Sequence, residues 1–277
     1  MCTERRTSPG SGRVWRPLVS ELPYSPDEMM TIAAARRVRN GTVVFVGIGL
    51  PSAAANLARL THAPDVVLMY ESGTIGSKPD VLPLSIGDGE LAETADAVVS
   101  VPEMFAYWLQ AGRIDLGFLG AAQIDRFANI NTTVIGGSYA RPKVRLPGAG
   151  GAPEIAGSCK EVVITLRQNR RAFVDRLDFV TSAGHLDGGD ARRRLGLAGH
   201  GPTAVISDFG ILEPDAETRE LTLTSIHPGV ALETVLAETG WPLKVSAALA
   251  TTEPPTADEL AVLRDVQQRT TRAHTTR

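Results

Sequence analysis

An acidic residue at the end of an apolar run is the first candidate for chemistry in this chain. Glu71 follows the run DVVLMY and precedes two glycines, Gly73 and Gly76. In open parallel sheets, ligands bind beyond the carboxyl ends of the strands, so an acid at this position lies at the edge of an expected site. Glycines beyond it let a substrate approach closely. By position alone, a solvated acid at a strand end is an equal alternative.

Two glycine-rich segments are candidates for binding an anion or a developing oxyanion. The first is GIGLPS at 47–52, between a predicted strand and a predicted helix, where backbone N–H groups bind anions. Ser52 takes the third glycine position and a proline interrupts the turn, so the dinucleotide-binding pattern is incomplete, and no Gly-Lys-Ser/Thr follows to make a P-loop. Nucleotide binding stays a minor alternative. The second is LPGAGGAPEI at 146–155, whose amides can form an anion nest or an oxyanion hole. A tight turn and a plain surface loop are the respective alternatives.

A third polar cluster follows a later apolar run. The segment GAAQID at 120–125 begins just past the run DLGFLG, and NINTT follows at 129–133. The side-chain amides of Gln123 and Asn131 can line a pocket and orient a carbonyl or carboxylate group. They can equally satisfy the backbone of a loop.

Other kinds of catalytic centre lack their residues. The five histidines are scattered without metal-ligand spacing, so no metal site is predicted. There is no Gly-x-Ser-x-Gly elbow, and neither Cys2 nor Cys159 has an obvious partner base. A carboxylate is therefore the expected nucleophile or base.

The elements that must position these residues alternate along the chain. Apolar runs without alternation, separated by helical segments, predict an α/β fold with a mostly parallel sheet and helices on both faces. Strands are predicted at 42–49, 65–72, 95–101, 113–121, 160–166 and 176–182, and a strand pair at 202–214 and 220–229. Helices are predicted at 26–39, 52–62, 102–112, 231–240 and 258–274. Ser25 is the expected N-cap of the first helix, and 187–200 is expected to be an exposed loop.

The composition places one domain between two tails. Residues 1–22 are expected to form a flexible tail, 23–265 a single α/β domain and 266–277 a C-terminal tail. A net charge of -3 indicates neither a nucleic-acid nor a membrane partner, and no apolar run reaches the ~20 residues of a membrane helix. Two distant cysteines and no secretory signal predict a cytoplasmic location.

In this order, the segments resemble the β subunit of family I coenzyme A transferases, from about residue 41 to 250. Each motif is weak alone, and the ordered set is specific. The corresponding segments are GIGLP (47–51), ESGTIG (71–76), GRIDLGFLGAAQ (112–123), NINTT (129–133) and GAGGAPEI (148–155). The resemblance implies the open α/β fold of that subunit.

The resemblance also implies a reaction and its residues. Glu71 would attack an acyl-CoA thioester and form a mixed anhydride and then a glutamyl-CoA thioester, because a carboxylate is ionised at neutral pH and a thiolate leaves readily. Coenzyme A would be part of the substrate, with no tightly bound cofactor. Oxyanion or coenzyme A contacts are implied for Gly49, Gly73, Gly148, Gly150 and Gly151. Pocket positions are implied for Tyr70, Ser72, Gln123 and Asn131.

Two departures keep alternatives open. Ser72 stands where the family usually has Asn, and Tyr70 where it usually has Ser. The runs YESGTIG and RPKVRLPGAGGAPEIA resemble most closely the β subunit of a relative that opens the last steroid ring by hydrolysing a carbon–carbon bond in a cyclic CoA thioester. With this relative in view, the role of Glu71 stays open: it is either the nucleophile or a residue that only lines the pocket. A sugar-phosphate isomerase or effector-binding domain on a similar sheet is a second alternative.

The length of the chain implies a partner. A complete transferase has an α half of similar size, and 277 residues leave no room for one. The resemblance therefore implies an obligate α subunit, in an αβ or α2β2 assembly.

Overall fold

The computed structural model of the protein describes residues 23–275. Fourteen strands are present within this range. In chain order they are β1 (Val43–Phe45), β2 (Val67–Met69), β3 (Thr74–Ile75), β4 (Ala97–Val98), β5 (Leu116–Gly120), β6 (Gln123–Ile124), β7 (Ile130–Asn131), β8 (Val134–Gly137), β9 (Pro142–Arg145), β10 (Glu161–Thr165), β11 (Pro202–Ile206), β12 (Gly210–Pro214), β13 (Leu221–Ile226) and β14 (Lys244–Thr251).

Eight α-helices accompany the strands in the described range, and one of them continues as a π-helix over Met104–Leu109. The α-helices are α1 (Pro26–Ala35), α2 (Leu50–Leu60), α3 (Gly89–Glu93), α4 (Val101–Glu103), α5 (Ala152–Ser158), α6 (Ala191–Arg194), α7 (Leu232–Ala237) and α8 (Ala257–Thr275).

Ten strands form one sheet, and its centre is parallel as predicted. The order is β14-β13-β12-β11-β10-β5-β1-β2-β3-β4, and every neighbouring pair from β11 to β2 is parallel. In register, Val44 lies between Leu68 and Leu116. Since these strands point the same way, the loops that follow β1, β2 and β5 all leave from one edge of the sheet.

Helices cover both faces of the sheet, as predicted. Residues of α1, α2 and α8 form one buried apolar cluster on one face. The π-helix, α5 and α7 contribute to a second cluster on the other face. Burial of apolar surface in these two layers is the main stabilising contribution to the fold.

The first helix begins where the sequence indicates. Ser25 Oγ accepts a hydrogen bond from the amide of Glu28 at 3.2 Å, and the Glu28 carboxylate accepts one from the Ser25 amide at 2.7 Å. This reciprocal pair satisfies two N–H groups that have no partner within the helix. The helix ends at Ala35, earlier than predicted, because Arg37 and Val38 donate to carbonyls three residues back and tighten the last turn.

Two predictions for the second half of the chain are wrong. Residues 176–182 are not a strand, because the amides of Thr181 and Ser182 bond only to Ile130, outside the large sheet. The segment 187–200 is not simply an exposed loop. It contains α6, and Arg192 within it is buried.

One element of the C-terminal region is missing from the sequence prediction. This is strand β14, which lies at one edge of the sheet. The helix predicted at 258–274 is present as α8 and includes residues 266–275 of the predicted tail; Val266 is buried, and Thr270 Oγ1 accepts a hydrogen bond from the Leu82 amide at 2.8 Å. The predicted tail at 1–22 lies outside the described residues.

None of the helices between residues 23 and 275 is both long enough and apolar enough to span a bilayer.

Two histidines are buried without a charged partner. His185 Nε2 donates to the carbonyl of Pro202 at 2.8 Å, and His227 Nε2 donates to the carbonyl of Ser207 at 2.9 Å. Burial lowers the pKa of each imidazole from its ordinary 6.5 to about 4. Both rings are therefore neutral at pH 7, because a buried imidazolium is poorly solvated.

We expect stability to fall as the pH drops from about 6.5 to about 4. In that window the unfolded chain binds protons at His185 and His227 while the folded chain does not, so each imidazole reduces the free energy of unfolding by about 2 kcal/mol at pH 5. Denaturant titrations at pH 7 and pH 5 measure the loss. His227→Gln should reduce this pH dependence, and His200→Gln, at an exposed position, should leave it unchanged. If the free energy of unfolding depends on pH equally in the two variants, the pH dependence does not come from His227.

Candidate active site

A tight turn between β2 and β3 carries the candidate carboxylate. The amide of Gly73 donates to the carbonyl of Tyr70 at 2.9 Å, and the amide of Tyr70 donates to the carbonyl of Thr74 at 3.1 Å. Glu71 and Ser72 are the two central residues of this turn. Because β2 belongs to the parallel part of the sheet, the turn places Glu71 at the carboxyl edge, where a ligand is expected.

Gly73 shapes this turn. Its φ is +102°, and a Cβ at this position would lie 2.0 Å from the carbonyl oxygen of Val99. The carbonyl of Gly73 accepts a hydrogen bond from the Val99 amide at 2.9 Å. Since the amide of Gly73 already donates to Tyr70, this glycine fixes the position of Glu71, and its N–H is not free for an oxyanion.

The structure brings Glu71 to the glycine-rich loop before α5. A Cβ on Gly151 would lie 3.1 Å from Glu71 Oε1 and 2.9 Å from the ring of Phe105. The carboxylate is half-buried, and within the described residues it has no hydrogen bond or ion pair. Two segments that are distant in sequence thus meet at one unpartnered carboxylate.

The loop offers free backbone donors at this point. Gly150 has a φ of +50°, and Gly151, the N-cap of α5, has a φ of -82°. When one residue has a left-handed backbone conformation and the next a right-handed one, their amides turn towards a common point and form a nest for an anion. Neither amide donates to another described residue. The amide of Gly148, by contrast, donates to Thr132 O at 2.9 Å and anchors the loop.

Tyr70 lies away from this site. Its side chain is fully buried among the helices on the other face of the sheet, and its hydroxyl is 3.3 Å from Ser52 Oγ. Burial raises the pKa of this phenol. Neighbouring strand residues point to opposite faces, so Tyr70 and Glu71 diverge. Tyr70 therefore packs on the face of the sheet opposite to Glu71 and stabilises the turn from there.

Ser72 follows the carboxylate and has an unused hydroxyl. Its Oγ is buried and has no hydrogen-bond partner among the described residues. An unpaired buried hydroxyl costs about 1–3 kcal/mol, so a bound group that pairs with it is favoured. Ser72 thus keeps an unused hydroxyl next to Glu71 in the turn.

Gln123 and Asn131 bond to each other in a buried network. Asn131 Nδ2 donates to Gln123 Oε1 at 2.7 Å, and Gln123 Nε2 donates to Asp178 Oδ2 at 2.7 Å. Asn131 Oδ1 also accepts from the amide of Thr133 at 2.9 Å. Among residues 23–275, neither side-chain amide has a hydrogen bond to Glu71. They hold the segment whose next residue, Thr132, bonds to the glycine-rich loop.

Gly49 belongs to a different cavity. With a φ of +82° it is the N-cap of α2. It lines a space of about 570 Å³ together with Leu82, Leu84 and Arg167. Glu71 is not among the lining residues of this cavity.

The sequence prediction missed Phe105, an aromatic residue at the site. Phe105 lies against Gly151, and Trp108 in the same π-helix has a buried Nε1 without a partner among residues 23–275. Single-turn π segments are frequent at functional sites. The sequence did hold a signal, since Phe105, Tyr107 and Trp108 lie within four residues of a chain with only 5% aromatic residues.

Thiol and metal chemistry have no support in the part of the chain that the structure describes. No group of three or more His, Cys, Asp or Glu side chains is arranged to hold a metal ion there. Cys159 is buried, and burial raises the pKa of its thiol to about 12, so it is inert as a nucleophile.

Comparisons with known proteins agree with this geometry. Residues 27–238 match the family model described as coenzyme A transferase. The chain is 65% identical over 251 residues to the B subunit of 3-oxoadipate CoA-transferase from Pseudomonas knackmussii, covering 91% of this chain and 96% of the relative. The crystal structure of glutaconate coenzyme A-transferase from Acidaminococcus fermentans superimposes with a TM-score of 0.82 at 34% identity, covering 87% of this chain and 94% of that chain.

The ring-opening relatives are more distant. The cholesterol ring-cleaving hydrolase IpdB subunit of Mycobacterium tuberculosis is 26% identical over 255 residues, covering 86% of this chain and 93% of the relative. The expectation that this branch is the nearest one does not hold, because the identity to the transferase subunit is 65%. The predicted family and α/β fold are confirmed.

We expect Gly73→Ala to destabilise the protein by about 3 kcal/mol or more, because the new methyl group meets Val99 O and a positive φ is strained for alanine. Gly41→Ala is the matched control. Its φ is +72° and nothing lies within 4 Å of the added Cβ, so only about 1 kcal/mol is expected. Denaturant unfolding measures both values. Similar losses in the two variants would rule out the close contact at Val99.

Proposed function

The chain belongs to the coenzyme A transferase family, and we propose that it is the β-type subunit of a two-subunit enzyme that transfers coenzyme A to 3-oxoadipate. Transfer holds over ring-opening hydrolysis, because identity is 65% to the transferase subunit and 26% to the hydrolase subunit. The choice of 3-oxoadipate is supported by that relative, which this chain matches over 96% of its length.

One observation carries the catalytic assignment: the Glu71 carboxylate, which has no hydrogen bond or ion pair within the described residues, lies beside Gly151, the N-cap of α5. A nucleophilic carboxylate needs an approach path to a thioester carbonyl, and the oxygen of that carbonyl becomes negative as the bond forms. Donors that already point at this oxygen stabilise the transition state without reorganisation. We propose that the N–H groups of Gly150 and Gly151, which donate to no other described residue, are these donors.

The first half of the proposed reaction loads coenzyme A onto the protein. A Glu71 carboxylate oxygen attacks the thioester carbonyl, the C–S bond breaks, and the coenzyme A thiolate leaves behind an acyl-glutamyl anhydride. The thiolate then attacks the glutamyl carbonyl of the anhydride. The donor acid leaves as a carboxylate, and Glu71 remains as a glutamyl-CoA thioester.

The second half repeats these steps in reverse for the acceptor. A carboxylate of 3-oxoadipate attacks the glutamyl thioester and expels the thiolate, which attacks the acceptor carbonyl of the new anhydride. Acyl-CoA forms, and the free Glu71 carboxylate returns. No redox cofactor or metal enters this balance, and coenzyme A serves only as part of the substrate. We propose a cytoplasmic location, consistent with the free buried thiol of Cys159.

We expect Glu71→Gln to reduce transfer of coenzyme A from succinyl-CoA to 3-oxoadipate by about 10³-fold or more in the assembled enzyme, because an amide is a poor nucleophile. Glu93→Gln, at an exposed site, is the control. Peptide mass spectrometry after incubation with acyl-CoA alone should find coenzyme A on Glu71.

Three results contradict this mechanism. They are full transfer activity in Glu71→Gln, an adduct on another residue, and water-dependent carbon–carbon cleavage of a cyclic β-keto thioester without exchange. Transfer to glutaconate but not to 3-oxoadipate would retain the mechanism and overturn only the substrate.

The surface beside Glu71 supports the proposed α-type partner. Val98 in β4, Val101 at the start of α4 and Tyr107 in the π-helix are exposed large apolar residues along one stretch of chain. Phe105 in the same stretch contacts the site. Contiguous exposed apolar surface marks binding surfaces for other proteins. We propose that this surface binds an α-type subunit, in an αβ or α2β2 assembly, which closes the open side of the Glu71 site.

We expect the double variant Val101→Lys with Tyr107→Lys to bind the α-type subunit at least about tenfold more weakly, because a buried interface would then hold two unpaired ammonium groups. Leu195→Lys is the control, since Leu195 is 67% exposed and belongs to the segment between α6 and β11, outside this stretch of chain. Sedimentation of the mixed subunits measures association, and circular dichroism checks folding. Unchanged association in the double variant would place the interface elsewhere.

A further inference from the structure

A second cavity lies at the opposite edge of the sheet from Glu71. It has a volume of about 840 Å³, and Pro202, the first residue of β11, is part of its lining. Since β11 is parallel to the strands that lead to Glu71, its amino end lies at the other edge. A volume of this size suits a small-molecule site.

Arg192 is a buried cation in the wall of this cavity. The side chain belongs to a residue that is 8% exposed, and its guanidinium donates only to backbone carbonyls. The acceptors are Gly199 O at 2.9 and 3.1 Å, Gly184 O at 2.7 Å, Ala183 O at 3.3 Å and Ala156 O at 2.9 Å. Burial lowers the pKa of the guanidinium. No carboxylate compensates its charge in the described structure.

The surrounding backbone is built to hold this arginine. Gly201 has a φ of +85°, and a Cβ there would lie 2.9 Å from both Cδ and Nε of Arg192. The chain therefore closes tightly around the guanidinium. A buried cation without a counter-ion is costly, and an anion in the adjacent cavity reduces that cost.

The lining as a whole is positive. Three arginines and one acid, Asp190, line the cavity, which leaves a net charge of +2 when histidines are neutral. Asp190 is itself paired with Arg193, at 2.6 Å, and with Arg194. The third lining arginine, Arg219, makes no side-chain hydrogen bond or ion pair within residues 23–275. Its planar guanidinium is free for bidentate binding.

His185 supplies a neutral acceptor in the same wall. Its Nε2 donates to Pro202 O, so Nδ1 carries a lone pair. The ring is neutral at pH 7, because burial first and then the charges of Arg192 and Arg219 lower its pKa to about 4. The cavity thus combines cationic donors with one uncharged acceptor.

We infer that this cavity binds a small organic dianion, a dicarboxylate or a phosphate monoester, at a site separate from Glu71. Arg219 and Arg193 bind its charged groups directly by charge-assisted hydrogen bonds. Arg192 contributes through its field, because its own N–H groups are occupied. The net charge of the lining matches a dianion.

The test measures binding of two probes, inorganic phosphate and succinate, to the assembled enzyme by calorimetry at low ionic strength. At least one should bind saturably, and Arg193→Gln with Arg219→Gln should weaken it by about tenfold or more. The control pair is Arg170→Gln with Arg171→Gln, two exposed arginines after β10. It should bind like the unaltered protein.

The probes separate the two sources of the anion. Preference for phosphate indicates a phosphate monoester, and preference for succinate indicates a dicarboxylate. No saturable binding of either probe overturns the inference, and so does equal weakening in the two variant pairs. Because the readout is binding, failure here is distinguishable from failure of the transferase assignment.

Discussion

The site depends on one close approach, that of the Glu71 carboxylate to a residue without a side chain. Any Cβ on Gly151 would lie within 3.1 Å of both the carboxylate and the Phe105 ring. The approach also needs both segments to be fixed. Gly73 fixes the turn under Glu71, and the two hydrogen bonds between Thr132 and Gly148 fix the loop. The sheet supplies the frame, since β2 and β5 run parallel to the same edge.

Local patterns predict much of this architecture. The expected N-cap at Ser25 and the apolar runs of β1, β2, β5 and β10 predict elements that the structure contains. Local patterns fail where pairing with another segment determines whether a strand forms. Residues 176–182 have strand-like composition, but their backbone forms only one isolated bridge, between Ser182 and Ile130, and joins no strand of the large sheet. Strand β14 has weak strand propensity, yet it pairs with β13 and is ordered by it.

The candidate site shows the same division. The structure brings Glu71 and Gly151 together, Glu71 because its turn follows a strand of the parallel centre and the glycine-rich loop because Thr132 anchors it. The place of Tyr70 beside Glu71 predicts a pocket position, but alternation along a strand turns it to the opposite face. Gln123 and Asn131 have the right groups for a pocket, and only three-dimensional contacts reveal that they bond to each other. Phe105 belongs to an aromatic-rich segment, but its approach to Gly151 is visible only in three-dimensional contacts.

The packing of the last helix against the first ones bears on how the chain is made. Leu260 and Leu263 of α8 lie in the same buried layer as α1 and α2, and Arg36 binds Glu259 through two nitrogens at 2.7 and 2.8 Å. Synthesis proceeds from the N-terminus. While a ribosome is still translating residues before 257, the apolar sides of α1 and α2 lack the helix that covers them. The nascent chain therefore exposes the apolar sides of α1 and α2 through most of translation. Protection by chaperones is most valuable before α8 emerges.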